Sequence, residues 1–152
     1  MKQIENISEN KNYSAVNIGD LNKIMEHSFK HPKSGQDVKG KVFIKEATKS
    51  TGTEISFTVL EPRTEIPFFH IHYKDEETYI ILKGSGFFQV DDDCFPVTEG
   101  SIIRVAPQGK RGMCNASDNY LVYICIQSME NSLEQYYTTD GEKVPCEAKW
   151  KK

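Results

Sequence analysis

Between about residues 39 and 127 the chain alternates short β-prone apolar runs with Gly, Pro and Asp breaks. The runs fall at 42–45, 54–60, 68–72, 78–82, 87–90, 101–105, 113–114 and 121–126. Short strands separated by turn residues at this spacing predict an all-β sandwich or barrel. Within 54–60 the apolar set is Ile55, Phe57 and Val59, against Ser56 and Thr58. Strict alternation places that set on one face, read here as the barrel interior. Residues 1–38 form a polar N-terminal extension rich in Asn, Lys and Ser. It holds one weak helical stretch, where Leu21, Ile24, Met25 and Phe29 recur behind Asp20 as an N-cap. Residues 128–152 carry Asp140-Gly141 and Pro145 and read as an irregular C-terminal arm. The expected organisation is therefore extension 1–38, barrel 39–127 and arm 128–152.

A length of 152 residues suits one domain with a core that needs no staples. A net charge of −3 with no basic stripe argues against a nucleic-acid or anionic-membrane surface. The basic end at Lys149-Trp150-Lys151-Lys152 reads as solvated. No apolar run approaches the roughly 20 residues of a membrane span, and the first residues lack the apolar core of a secretory signal. A cytoplasmic location is the resulting expectation. Cys94, Cys114, Cys125 and Cys146 are scattered with no Cys-x-x-Cys pair, so they are expected as free thiols, Cys125 in the core. His27 and His31 read as exposed bystanders.

The chemistry concentrates in His70-Ile71-His72-Tyr73-Lys74-Asp75-Glu76-Glu77. On an extended backbone His70 and His72 leave the same face. Tyr73 to Glu76 has the length of a four-residue hairpin loop, which would set Glu77 across from His72 and Tyr79 across from His70. Glu76 then falls in the loop or on the opposite face. Two imidazoles and one carboxylate suit a divalent transition metal. Beyond a second hairpin at Lys83-Gly84, parity puts Gly86, Phe88 and Val90 on the ligand face with Tyr79 and Ile81. Phe87 and Gln89 point away.

His70, His72, Glu77 and Gly84 match the first motif of the cupin superfamily, which this sequence resembles over about residues 40 to 127. Gly100, Pro107, Gly109 and Asn115 match its second motif. The resemblance implies an antiparallel double-stranded β-helix, a cupin-like jelly-roll barrel, and a homodimer. It also implies metal ligands at His70, His72 and Glu77. Where the family usually supplies a third histidine, the match is Gly112, which would leave an imidazole's volume empty beside the ion. Arg111 beside it cannot ligate, because a guanidinium stays protonated; it is either an anion-binding group at the rim or a solvated turn residue. Cys114, two residues from Gly112, is a candidate to approach the open position.

The resemblance implies zinc, manganese, iron or nickel without choosing among them. Three readings follow: a metal-dependent isomerase, lyase or dioxygenase on a small polar substrate; a module that holds a small ligand without turnover; or a scaffold that has lost its metal. No residue is fixed as acid, base or nucleophile; Tyr79 and Tyr123 are candidates by position alone.

Overall fold

The computed structural model describes residues 2–135 and 137–150. In chain order the strands are β1 (Glu5–Asn10), β2 (Tyr13–Asn17), β3 (Ser28–Lys30), β4 (Asp37–Lys39), β5 (Lys41–Phe43), β6 (Glu54–Leu60), β7 (Thr64–Glu65), β8 (Asp75–Lys83), β9 (Ser85–Val90), β10 (Asp93–Thr98), β11 (Ile102–Val105), β12 (Arg111–Asn115) and β13 (Leu121–Met129). A 3₁₀ turn over Leu21–Glu26 and one short helix, α1 (Lys45–Thr48), complete the elements. Two antiparallel sheets build the body, ordered β11-β8-β13-β6-β5 and β10-β9-β12-β7. This is the all-β body expected from the run pattern, in the jelly-roll arrangement that the cupin resemblance implies. Strand β6 has the predicted bounds, whereas β10, interrupted by Pro96, escaped the pattern.

The facing sheet surfaces enclose the main core. Tyr79 and Ile81 of β8, Phe88 of β9, Val97 of β10, Met113 of β12 and Tyr123 of β13 meet there. The Tyr79 and Phe88 rings pack edge to face across the sheets, centroids 4.9 Å apart. Truncating a buried aromatic of this kind costs about 3–5 kcal/mol. Gly84, between β8 and β9, has φ of +87°, and a Cβ there would lie 2.5 Å from the Tyr120 carbonyl oxygen. Only glycine suits that corner. The corner also corrects the predicted hairpin at Lys83-Gly84. Strands β8 and β9 do not pair; the chain passes from one sheet to the other.

A second correction concerns β6. Its partner register sets Ser56 opposite Cys125 and Thr58 opposite Tyr123, both core residues, so Ser56 and Thr58 face the interior. Phe57 and Val59 instead join Ile24, Met25, Leu82 and Val122 in a second cluster on the outer sheet face. The 3₁₀ turn of the N-terminal extension covers that face, which is why the apolar set can lie outside. Asp20 caps the turn by accepting from the Asn22 amide, as its position predicts. The extension is more ordered than expected, with hairpins β1–β2 and β3–β4. His27 is not exposed: it is buried, with Nε2 2.9 Å from the Ile18 carbonyl oxygen.

At the far end of the barrel Asn115 is fully buried, and its amide donates to the carbonyls of Leu60, Glu61 and Asn119. It ties the end of β6 to the loop between β12 and β13. No helix among the described residues is long and apolar enough to cross a membrane.

Candidate metal centre

Alternation along β8 aims Glu77, Tyr79 and Ile81 inward. Glu76 points the other way and pairs with Arg104 on the outer surface. Both edges of β8 are occupied, by β11 and β13, with Glu77 opposite Val105 and Gln127. No edge is left for the predicted 68–72 strand, so the expected hairpin does not form; Asp75 and Glu76 already belong to β8. His70 instead bridges Arg111 at the start of β12, exchanging backbone hydrogen bonds of 3.3 and 3.1 Å. The His72 amide donates to the Pro107 carbonyl at 2.9 Å.

The three predicted ligands converge all the same. Nε2 of His72 lies 3.3 Å from Oε1 of Glu77, and Nε2 of His70 lies 3.6 Å from Oε2. One ligand atom from each lies within 4.8 Å of the others. His72 Nε2 is buried and makes no hydrogen bond of acceptable geometry. An orphaned buried nitrogen is costly, and coordination to an ion would satisfy it. The donor set therefore fits a divalent metal.

Three more groups hold the carboxylate. Tyr79 donates its hydroxyl to Oε2 at 2.6 Å, the Cys125 thiol donates to Oε1 at 3.3 Å, and Nε of Arg111 lies 3.2 Å from Oε2. Burial alone would raise the Glu77 pKa. Hydrogen bonds from His70 and Tyr79, the charge of His72 and the Cys125 thiol overcome it and hold the carboxyl at about 2. Burial, then the neighbouring Glu77 charge, pushes the Cys125 thiol up to about 12 and the Tyr79 phenol well above its ordinary range. Both stay protonated as donors. Tyr123 is buried and also raised, which removes it as a base.

The second motif is read one residue off in sequence. Along β12, Arg111 pairs with Val90 and Met113 with Phe88, so both face inward; Gly112 pairs with Gln89 and Cys114 with Phe87, so both face out. A Cβ on Gly112 would meet the Phe69 ring at 2.9 Å, far from any ligand vacancy. Gly112 and Cys114 instead line an outer depression with Phe69, Phe87 and Cys94. No imidazole-sized space opens at Gly112 toward His70, His72 and Glu77, and Cys114 faces away from them. Arg111 is neither a rim group nor a solvated turn residue. It is 1 % exposed, and its guanidinium also donates to the carbonyls of Pro107, Ala106 and His70. The apolar Met113 between two small residues is the parity signal that places residue 111 inside.

Two cavities meet at the centre, sharing Lys41, His70, Glu77 and Cys125. One, of about 230 Å³, is lined mainly by apolar groups, among them Phe29, Leu60, Ile66, Phe68 and Tyr123. The other, of about 170 Å³, adds His72, Ser56 and Gln127. His31, expected as an exposed bystander, lines the larger cavity from the β3–β4 hairpin. Sequence reasoning gave no signal for Lys41.

The Cupin domain family matches residues 56–127. No curated protein matches. A cupin protein from Bacteroides fragilis is similar at 37% identity over 69% of this chain and 89% of that one, with a TM-score of 0.67. A predicted oxalate decarboxylase from Thermotoga maritima is similar at 18% identity over 68% and 90%, TM-score 0.56. A sugar phosphate isomerase of the cupin superfamily from Silicibacter pomeroyi follows at 16% over 59% of each chain, TM-score 0.53. The last two likenesses speak for the fold alone.

Proposed function

The chain belongs to the cupin family, and from that premise we propose a metal-dependent enzyme of the isomerase, lyase or dioxygenase class acting on a small polar substrate. The observation that carries this reading is the convergence of His70, His72 and Glu77 within 4.8 Å at the junction of two cavities. These three would hold a zinc, manganese, iron or nickel ion. Three protein ligands leave coordination positions open, as catalytic rather than structural sites do. Such an ion supplies Lewis acidity toward a substrate oxygen.

The remaining residues position and exclude. Tyr79 and Cys125 orient the two carboxylate oxygens of Glu77 by donating to them; outer hydrogen bonds of this kind fix ligand geometry. Arg111 neutralises part of the Glu77 charge from the barrel interior. Phe68, Ile66 and Leu60 give the larger cavity an apolar wall.

A second reading is favoured by one observation: a permanent cation, Arg111, already pairs with Glu77. On that reading the scaffold has lost its metal and binds a small ligand without turnover. A crystal grown with manganese separates the two. An anomalous peak among His70, His72 and Glu77 supports the enzyme; an empty map at full manganese supports the metal-free binder.

A further inference from the structure

We propose that Lys41 is the anchor for the anionic group of a small organic acid whose apolar body fills the larger cavity. Lys41 lies on β5, an edge strand outside residues 56–127, the segment that matches the family. Its register partner is Thr58, an interior-facing residue, so Lys41 also faces inward, while Val42 between Lys41 and Phe43 packs outward. The side chain lines both cavities together with His70 and Glu77.

Among the described residues no carboxylate lies within ion-pairing distance of its ammonium, which rests on the Phe43 ring 4.7 Å from the centroid. Glu77, the one buried acid nearby, is engaged by Arg111 and Tyr79. Glu65 lines the larger cavity but is solvent-exposed, and Glu54 lines the smaller one. Burial lowers the Lys41 pKa, outweighing the more distant Cys125, Glu77 and Glu54 groups that raise it. A partly desolvated cation without a carboxylate partner favours an anion supplied from outside. Its neighbours decide the rest of the ligand. Phe29, Leu60, Ile66, Phe68 and Tyr123 offer apolar contact, and about 230 Å³ admits a molecule the size of a benzoate.

This assignment rests on the small-ligand reading of the same site, so its test is built to fail separately. The full chain, metal-free and zinc-loaded, is titrated calorimetrically with benzoate and with benzamide, its uncharged analogue. Wild type should prefer benzoate by about tenfold or more, the worth of a hydrogen bond to a charged group. Lys41→Met should abolish the preference, and Lys41→Arg should keep it. Lys41→Gln is read the same way should the methionine variant fail to fold. Equal affinity for the two probes in wild type, no binding of either, or an unchanged preference in Lys41→Met overturns the proposal. Zinc uptake is measured independently. A chain that takes up no zinc but keeps the benzoate preference sinks the metal reading and leaves Lys41 as the anchor.

Discussion

The Nε of Arg111 lies 3.2 Å from Oε2 of Glu77, a buried guanidinium on the carboxylate that two histidines also approach. Removing one partner of a buried pair costs about 3–5 kcal/mol, because the other charge is left without compensation. Arg111→Met should therefore lower the melting temperature of the metal-free protein by about 10 °C. Zinc should stabilise the variant more than wild type, since the ion replaces the missing charge. Differential scanning calorimetry with and without zinc reads both effects.

Residues 111 and 112 give opposite expectations. Arg111→His puts an imidazole on the inward parity and should tighten zinc binding. Gly112→His points at Phe69 and should leave zinc affinity unchanged. Phe69 is half exposed and free to move aside, so a modest stability change is the only cost. Tighter zinc binding in Gly112→His would put the β12 register in error.

Acid should unfold the metal-free protein through Glu77. Its folded pKa, about 2, lies below the ordinary 4.5. A depressed carboxyl stabilises the fold above the unfolded value, and that contribution is lost as pH falls from about 4.5 toward 2. Urea unfolding of wild type across this range should show a fall in stability that is markedly smaller in Glu77→Gln.

Tyr79→Phe removes the 2.6 Å hydrogen bond to Glu77 while keeping the ring against Phe88. Losing such an outer partner weakens metal binding by about 10- to 100-fold. Competition against a chromogenic chelator measures this, and an unchanged affinity would mean that Tyr79 does not orient the ligand.

The thiols should separate by burial. Cys94 and Cys146 are exposed, whereas Cys125 is buried with its pKa pushed up to about 12. A disulfide reagent at pH 8 should modify Cys94 and Cys146 quickly and reach Cys125 only after unfolding. Peptide mapping identifies the modified residues.

Periodicity made β6 and the inward side of β8 legible, because two-residue alternation survives wherever one face is buried. It misled at Ile55, Phe57 and Val59, where the 3₁₀ turn buries the outer face and the site end of the interior is polar. His70, His72 and Glu77 do converge, although the hairpin invoked to join them does not form. Their convergence depends on the His70–Arg111 bridge, a contact 41 residues apart that no local pattern encodes. Arg111 was misplaced by a single residue of register, which in a strand exchanges inside for outside. Lys41 carries no motif, and only the pairing of β5 with β6 brings it to the site.

The most direct test of the account is calorimetric titration of the metal-free chain with zinc near pH 7, beside His72→Ala and His31→Ala. Wild type and His31→Ala should each bind about one ion per chain, with binding lost in His72→Ala. Equal zinc binding in all three proteins would contradict it.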